Sequence, residues 1–307
     1  MSLRKSQPKL AYQALPDGIK GTVKAAINSL LNRAGFEISS TLKQRIENGR
    51  LRGLQVSGHW QREKYTQGLE LDDQRALQFL REICIPYQTQ YNSFAPAANG
   101  DERQYFLNNG WFESVDAEIL YSVLRHFQPD HVLEVGSGFS TRVMRRAIND
   151  GKLSTRITSI DPLPNTDVQP YADKYLKARV EDIEVEEILR LLSPGDILFI
   201  DSSHTIQTGG DVPYLFLEVL PRLQAGVLVH IHDIFFPFDY PSDWVMDGWG
   251  WNEQYLVHAF LAGNKTFEIL WPARYLWERQ RAAIVEFIPS AAALTRQPSS
   301  LWLRKVA

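Results

Sequence analysis

The sequence predicts an α/β protein in which a doubly wound, mostly parallel sheet of seven strands follows a helical N-terminal appendage. From residue 113 onward, short apolar segments of strand length alternate with segments of helical periodicity. The first apolar run stops at two closely spaced glycines, Gly136 and Gly138, and a helix-like segment follows. Alternation of this kind places parallel strands side by side and covers both faces of the sheet with helices.

The first 112 residues carry no strong strand signal, and we expect them to form a helical appendage and a connecting loop. Short amphipathic patterns predict helices at 21–33, 39–52 and 71–83. Residues 86–110 are rich in Asn, Ala, Gln and Pro and predict a loop. The functional domain is then expected over residues 113–307.

This second part begins with a helix predicted over 114–127, because Ile119, Leu120, Val123 and Leu124 form an apolar stripe. The strands predicted after it span 132–136, 156–161, 178–183, 196–201 and 227–233. The helical patterns between these strands cover 141–149, 168–177, 185–192 and 212–223.

A long loop over 234–251 follows the fifth predicted strand. A helix at 253–261 and two more strands, at 266–271 and 300–306, complete the pattern. Ligands of open α/β sheets bind in the crevice beyond the carboxyl ends of the strands. The side chains at those ends are therefore the candidates for function.

Composition excludes several classes of partner. The chain has 33 Lys and Arg against 36 Asp and Glu, so its net charge of −3 gives no general attraction to nucleic acid or an anionic membrane. Cys84 is the only cysteine, which fits a reducing cytoplasm. Neither a secretory signal nor a run of roughly 18 apolar residues is present. We expect a cytoplasmic protein without nucleic-acid or membrane partners, and the sequence leaves a homo-oligomer open.

The glycine turn predicts a site for a nucleotide-like ligand. Glycine lets a ligand approach the backbone closely, and the free N–H groups of the helix that follows attract a carboxylate or phosphate. Ser140 or Thr141 stands where the N-cap of that helix belongs. Asp161, at the end of the second strand, can accept both hydroxyls of a ribose. That geometry serves NAD and S-adenosylmethionine equally.

The spacing of the glycines argues against a dinucleotide. A dinucleotide-binding turn has the form G-x-G-x-x-G, whose third glycine allows close packing of helix on strand. Here Thr141 occupies the third position.

Four strand-end segments carry a resemblance to a known family. They read Leu-Glu-Val-Gly-Ser-Gly-Phe-Ser-Thr at 133–141, Val-Glu-Asp-Ile at 180–183, Leu-Phe-Ile-Asp-Ser-Ser-His at 198–204 and Val-His-Ile-His-Asp-Ile-Phe-Phe-Pro at 229–237. On these motifs the chain resembles the class I S-adenosylmethionine-dependent methyltransferases, which have a Rossmann-like fold. The likeness is greatest to the bacterial methyltransferase 24 type, which includes sugar and natural-product O-methyltransferases. It covers about residues 113–307.

The resemblance implies S-adenosylmethionine as cofactor and a small molecule as methyl acceptor. It implies that Gly136 and Gly138 leave room for the methionine part, and that Glu134 lies beneath the turn and helps to hold the amino group. Ser140 and Thr141 would meet the carboxylate, and Asp161 the ribose. Asp182 would bind the adenine amino group, with Ile183 against the ring. The implied cofactor-binding residues are Glu134, Gly136, Ser137, Gly138, Ser140, Thr141, Asp161, Asp182 and Ile183.

Two carboxylates are candidates for a metal site and for catalysis. Asp201 and Asp233 end neighbouring strands, and converging carboxylates suit a hard divalent cation such as Mg²⁺. Related metal-dependent O-methyltransferases usually add an Asn or Asp directly after the second carboxylate. This chain has Ile234 there, so one expected ligand is absent.

Two histidines are the candidate bases if no metal is used. His204 and His232 follow strand ends, and imidazole titrates near neutrality. Either could also replace the absent metal ligand, although imidazole favours softer transition metals. His230 lies on the same face of its strand as His232 but deeper, and we interpret it as a core histidine with satisfied hydrogen bonds.

The loop over 234–251 is rich in aromatic residues and is predicted to form a wall of the acceptor pocket. Packing of these rings onto the N-terminal helices is the alternative. The predicted function is O-methylation of a small hydroxylated acceptor, a sugar or a natural product. A nicotinamide-dependent oxidoreductase is one alternative, although the chain lacks a Tyr-x-x-x-Lys pair after the fourth strand. A non-catalytic cofactor-binding homologue is the other.

Overall fold

The computed structural model describes residues 26, 27, 29, 41–98, 100 and 104–307. The chain divides into two compact units, and the second begins at Gly58. Within the first unit, helix α1 spans Thr41–Val56. The helix predicted over 21–33 falls mostly outside the described residues. The predicted domain division at residue 112 stays a prediction.

A single seven-stranded sheet organises the second unit, in the order β3-β2-β1-β4-β5-β7-β6. Strands β1 to β5 are parallel, and β7 runs antiparallel to both β5 and β6. The predicted fold class is confirmed. The strands are β1 His131–Val135, β2 Arg156–Ile160, β3 Lys174–Leu176, β4 Ile197–Ile200, β5 Leu228–Ile231, β6 Phe267–Pro272 and β7 Leu301–Lys305.

Helices cover both faces of this sheet. On one face, a buried cluster joins Leu80, Ile119 and Val143 of three helices to Phe199 and Trp302 of the sheet. The opposite face has its own cluster, which includes Leu198, Val229 and Val257. The helices of the second unit are α2 Asp73–Cys84, α3 Gln88–Tyr91, α4 Asp116–Phe127, α5 Phe139–Gly151, α6 Val185–Arg190, α7 Asp211–Tyr214, α8 Ser242–Met246, α9 Glu253–Leu261 and α10 Ala273–Phe287.

The third strand was predicted in the wrong place. Residues 180–182 of the segment predicted as strand 178–183 form a 3₁₀ turn, and β3 lies instead within the segment predicted as helix 168–177. This strand is three residues long and partly exposed, and among the described residues it pairs only with β2. A short edge strand needs no buried apolar run, so it left no signal in the sequence.

Two helical predictions also need correction. The pattern over 212–223 forms α7, a π-turn at Leu215–Val219 and a 3₁₀ turn at Leu220–Arg222 rather than one helix. Helix α10 was not predicted at all. Its backbone departs from helical geometry at Gln280, which interrupts the apolar periodicity between Leu276 and Ile284.

The alternation of β1 positions the first functional side chain. Leu133 and Val135 belong to the buried cluster on one face of the sheet, and Val132 to the cluster on the other. Glu134 therefore points to the same face as Val132, where α5 lies. A carboxylate is thereby placed inside the protein, directly under the glycine turn.

Candidate active site

The carboxyl ends of the parallel strands open into a cavity of about 1160 Å³. At one end of the cavity, here called the turn end, Gly136, Ser137, Gly138 and Asp161 line the wall. At the other, the acid end, the lining residues are Asp201, His204, His232 and Asp233. The order of the sheet brings these groups together, because β2, β1, β4 and β5 are consecutive neighbours.

The two glycines of the turn serve different purposes. Gly136 has a φ of +79°, and a Cβ there would lie 1.8 Å from the carbonyl oxygen of Asp201. Glycine is thus required by the protein's own backbone at this position. Gly138 is extended, and only the Oδ1 of Asn165, at 3.3 Å, would meet its Cβ. The space that a ligand can use is therefore beside Gly138.

Glu134 is fully buried and is surrounded by hydroxyl donors. Its oxygens accept hydrogen bonds from Ser140 at 2.7 Å, Thr141 at 2.8 Å and Ser159 at 2.5 Å. Burial raises the pKa of Glu134 to about 7, although the three hydroxyls act in the opposite direction. The carboxyl therefore anchors the start of α5 to β1 from below.

The helix cap and the hydroxyl roles differ from the sequence prediction. The N-cap of α5 is Gly138, not Ser140 or Thr141, and the helix begins at Phe139. The hydroxyls of Ser140 and Thr141 turn inward to Glu134 because a buried carboxylate needs donors more than a solvated helix end does. Only their backbone groups remain for a ligand's carboxylate.

Asp161 holds the turn from the side of β2. The Oδ2 of Asp161 accepts hydrogen bonds from the backbone N–H of Ser137 at 2.9 Å and from the hydroxyl of Ser137 at 3.0 Å. The Oδ1 of Asp161 accepts the backbone N–H of Leu163 at 2.8 Å. A carboxylate has about four lone-pair sites, so these three hydrogen bonds do not exhaust the acceptor capacity of Asp161, which lines the cavity. This arrangement fits a ribose hydroxyl.

Asp182 and Ile183 lie apart from these groups. Asp182 is exposed, and neither residue lines the cavity. Ile183 packs against a buried cluster, and its carbonyl accepts the hydroxyl of Tyr214 at 2.6 Å. Their roles at an adenine ring stay predictions.

At the acid end, His204 lies between three carboxylates. Its Nε2 is 3.2 Å from Asp201 Oδ1 and 3.7 Å from Asp233 Oδ2, and its Nδ1 is 2.8 Å from Glu253 Oε2. Ligand atoms of Asp201, His204 and Asp233 all lie within 4.8 Å of one another. The arrangement can hold a divalent cation, because carboxylate oxygens and imidazole nitrogen are both common metal ligands.

The backbone at this cluster is strained. His204 has a φ of 56° and Asp233 a φ of 55°, in a region that non-glycine residues rarely adopt. Strain of this kind persists only where surrounding contacts hold it, and it concentrates at functional sites. The serine two positions before β7 supplies one such contact, since Ser299 Oγ donates to Asp233 Oδ1 at 3.0 Å.

Electrostatics at the acid end favour positive charge. Burial opposes ionisation of Asp201, but the imidazoles of His232 and His204 outweigh it and lower the pKa of Asp201 to about 2. Burial likewise opposes a charged His204, yet the hydrogen bonds to Asp201 and Glu253 raise the pKa of His204 well above its ordinary value. The carboxylates therefore stabilise a cation among them, whether imidazolium or metal.

His232 also lines the cavity, with its Nε2 3.9 Å from Asp233 Oδ1. Burial disfavours its charged form, but Asp233 and Asp201 outweigh that effect and raise the pKa of His232. Its Nδ1 has no hydrogen-bond partner within the described ranges. His232 is therefore less firmly oriented than His204.

His230 is a buried residue of the core, as predicted, but its hydrogen bonds are not satisfied. Its ring stacks on Phe199 at 4.0 Å, and neither nitrogen has a partner among the residues that the structure describes. Burial lowers the pKa of His230 well below its ordinary value, so the ring is neutral. The rings packed around it are those of Phe112, Phe199, His232 and Trp302.

Sequence reasoning missed Asp116 and Glu253. Asp116, at the start of α4, accepts the backbone N–H of Ser299 at 2.8 Å and so holds the serine that contacts Asp233. Glu253 is fully buried at the start of α9. An acidic residue in a first helical turn is common for local reasons, so nothing in the sequence marked either residue.

The aromatic loop contributes to both the cavity and the core. Trp251 lies against His204 with ring centroids 4.3 Å apart, and Trp244 and Trp249 stack at 4.7 Å beyond it. These three rings line the cavity together with Phe235 and Phe238. Phe236 and Tyr240 of the same loop are buried and do not line the cavity. Trp60 and Trp111, from earlier in the chain, line the cavity as well.

A family described as a methyltransferase domain matches residues 133–234. This segment contains the last three residues of β1, the glycine turn, Asp161, Asp201, His204 and Asp233. The matched segment is about a third of the chain, and over this segment the chain is similar to a methyltransferase domain. The match begins inside β1 and ends just after Asp233, so it includes most of both ends of the cavity.

Individual relatives are distant. An uncharacterised protein of Archaeoglobus fulgidus is 26% identical over 125 residues, which cover 39% of this chain and 55% of that protein. The chain therefore spans about half the length of this curated relative.

Similar solved structures include the Podospora anserina methyltransferase PaMTH1 bound to S-adenosylhomocysteine (14% identity, 89% of this chain and all of that chain covered, TM-score 0.39). The methyltransferase MycE of mycinamycin biosynthesis, in complex with Mg, S-adenosylhomocysteine and mycinamycin VI, is another (18% identity, 60% and 46% covered, TM-score 0.33). Across the described residues, the helices are too short or too polar to cross a membrane.

Proposed function

We propose that this protein transfers the methyl group of S-adenosylmethionine to a hydroxyl oxygen of a small acceptor, a sugar or a natural product. One observation carries the proposal. A single cavity joins the glycine turn and Asp161 to the cluster of Asp201, His204 and Asp233. A bound cofactor and an acceptor hydroxyl would thus share one space.

The turn end fits the cofactor. The carboxylate of Asp161 keeps an acceptor site for a ribose hydroxyl, and the start of α5 offers backbone N–H groups to a carboxylate. When bound, S-adenosylmethionine supplies an electrophilic methyl group. The chain's contribution is to orient the acceptor oxygen toward that group, and orientation is worth several kcal/mol in favourable cases.

The acid end supplies the proton acceptor. The Nε2 of His204 faces the cavity, and its Nδ1 is held by Glu253, which is the usual arrangement of a base and an orienting acid. A positioned base contributes about 10²–10⁴-fold to the rate. His232 is less constrained, so we propose His204 as the proton acceptor, in the neutral form that a cation bound to Asp201 and Asp233 would favour over the imidazolium.

Asp201 and Asp233 fit a divalent cation, since two carboxylates completed by water are a common Mg²⁺ donor set. A cation held there would lower the pKa of an acceptor hydroxyl. The adjacent imidazole of His204 could instead complete the donor set, and this would favour a transition metal. Titration of Mg²⁺ and Mn²⁺ into the protein and its His204→Ala variant separates these two arrangements.

The aromatic rings beyond His204 are proposed to form the acceptor wall. Trp251, Trp249 and Trp244 make a continuous series from the base toward solvent, and Trp249 is 44% exposed. Flat apolar surfaces of this kind contact sugar rings and planar natural products. The similarity to MycE, whose complex contains mycinamycin VI, agrees with such an acceptor.

Thermal unfolding and a transfer assay test the proposal. S-adenosylhomocysteine should raise the melting temperature, whereas NADH should leave it unchanged, because only a ligand of the folded state stabilises it. Radiolabelled methyl donor with a panel of sugars, polyols and phenols, with and without EDTA, should then identify the acceptor. Protection by NADH alone would favour the oxidoreductase alternative. Cofactor binding without transfer to any host metabolite would favour the non-catalytic one.

A further inference from the structure

Glu253 is an unusual residue to find in the interior. It lies in the first turn of α9, is fully buried and does not line the cavity. One oxygen is 2.8 Å from His204 Nδ1, and the other has no hydrogen-bond partner within the described part of the chain. A buried carboxylate with one unpartnered oxygen is costly, and an apolar residue would be cheaper for stability alone.

Residues 251–253 enclose His204 from three sides. The ring of Trp251 covers the imidazole at 4.3 Å. The backbone N–H groups of Asn252 and Glu253 donate to the carbonyl of His204 at 3.0 and 3.1 Å. The Glu253 carboxylate forms a hydrogen bond with Nδ1 of His204. These contacts direct Nε2 toward Asp201 and Asp233, whose nearest oxygens are 3.2 and 3.7 Å away.

The start of α9 is itself firmly fixed. The side-chain oxygen of Gln254 accepts the backbone N–H of Phe235 at 3.1 Å, and the backbone N–H of Gln254 donates to the hydroxyl of Tyr240 at 2.9 Å. The Oδ1 of Asn252 accepts the N–H of Ile206 at 2.6 Å. Glu253 therefore lies at a helix start that hydrogen bonds connect to both the aromatic loop and the segment after β4.

We infer that Glu253 is a positioning residue, which holds the Nδ1–H of His204 so that Nε2 faces the cavity between Asp201 and Asp233. This inference rests on the proposed function, but only for its kinetic consequence. The geometry serves His204 equally as proton acceptor and as metal ligand, since both need an oriented Nε2.

The kinetic test compares three variants with a matched control. Glu253→Ala should lower kcat on the order of 100-fold while the Kd of S-adenosylhomocysteine changes less than about twofold. Glu253→Gln should lower kcat less, about tenfold, because an amide oxygen can still accept the Nδ1–H of His204. In a His204→Ala background, Glu253→Ala should have no further effect.

Glu118 provides the control. It is also a buried helical carboxylate with one unpartnered oxygen, and it lies outside the cavity lining. Glu118→Ala should change stability but leave kcat within about twofold. Equal losses of kcat in Glu118→Ala and Glu253→Ala, or an additional loss in the His204→Ala background, would overturn the inference.

A spectroscopic test works even if methyl transfer is never observed. In protein labelled with ¹⁵N-histidine, the hydrogen-bonded Nδ1–H of His204 should give a downfield proton resonance that is absent from His204→Ala. We expect Glu253→Ala to abolish this resonance and Glu118→Ala to retain it. Its persistence in Glu253→Ala would refute the role of Glu253, independently of the reaction.

Discussion

At the turn end of the cavity, Glu134, Ser137, Ser140 and Thr141 lie within eight consecutive residues. They bond to one another, to Ser159 in β2 and to Asp161 directly after it. At the acid end, the contacts of His204 and Asp233 come from residues up to 66 positions away in the chain. The first end is a strand–turn–helix unit with its own internal hydrogen bonds. The second exists only once the sheet, α4 and α9 have assembled.

This difference shows why the two ends tolerate change differently. The turn end depends on a backbone conformation and a buried carboxyl, so alterations there act on folding and on cofactor affinity. The acid end consists of side chains held in place by other side chains. Alterations there should act on the chemical step and leave the fold largely intact.

The largest effect is expected from Asp233→Asn, at the acid end. We expect kcat to fall at least about 10³-fold, because a carboxylate next to the reacting groups is lost. The Kd of S-adenosylhomocysteine, measured by calorimetry, should change less than about threefold, as the turn end is untouched. A comparable loss of cofactor affinity would show that the two ends are not separate.

Gly136→Ala should affect both ends through the backbone. A Cβ would overlap the carbonyl of Asp201 at 1.8 Å and would occupy a positive φ. We expect a loss of at least about 3 kcal/mol in the free energy of unfolding, measured by chemical denaturation.

Gly138→Ala is the matched control for this glycine. Its Cβ would meet only Asn165 Oδ1 at 3.3 Å, so stability should fall by less than about 1 kcal/mol. Cofactor affinity should nevertheless fall, because the methyl group enters the space beside the turn. Equal stability losses in the two variants would contradict the different purposes assigned to these glycines.

Asp161→Ala should weaken S-adenosylhomocysteine about 10–100-fold, since hydrogen bonds to a charged group contribute about 1.5–3 kcal/mol. Asp182→Ala is the comparison, because Asp182 is exposed and outside the cavity lining. We expect the Kd of S-adenosylhomocysteine for Asp182→Ala to stay within about twofold of the value for the unmodified protein. An equal loss for Asp182→Ala would instead support the adenine contact predicted from the sequence.

The last prediction concerns how stability depends on pH through Glu134. Burial raises the pKa of Glu134 to about 7 from an ordinary value of 4.5. The folded state therefore binds the proton of Glu134 more tightly than the unfolded state does. This tighter binding adds to the free energy of unfolding fully below pH 4.5, and the contribution is lost as the pH rises through 7. Glu134→Gln cannot titrate. The variant should gain on the order of 2 kcal/mol in unfolding free energy relative to the unmodified protein between pH 5 and pH 8.

Chemical denaturation of both proteins at several pH values measures this difference in unfolding free energy. The prediction concerns how the difference changes with pH, not its absolute size. Any constant offset from rearranged hydroxyls around residue 134 cancels between the two pH values. A pH-independent difference between the two proteins would mean that Glu134 is ionised throughout this range.

The sheet and the turn end were largely predictable. Central strands such as β1 and β4 are buried on both faces, so they appear as apolar runs whose ends can be located from the sequence. The edge strand β3 was misplaced because partial exposure removes that signal. Helix α10 was missed because a non-helical residue, Gln280, breaks its periodicity.

The acid end was predictable in its residues but not in its contacts. Asp201, His204, His232 and Asp233 follow strand ends, and the rule that ligands bind beyond those ends was enough to select them. The partners of His204 could not be predicted, because Glu253 is 49 positions away and carries no motif.

Three features of the fold can be identified from the amino-acid sequence alone: apolar runs of strand length, a glycine turn, and acidic side chains where the runs stop. These are local properties, which depend on side-chain size and backbone sterics. The contacts of Ser140 and Thr141 with Glu134, and of Glu253 with His204, form only when the chain packs into its tertiary structure. These contacts depend on which polar groups become buried together, and burial is a property of the assembled chain.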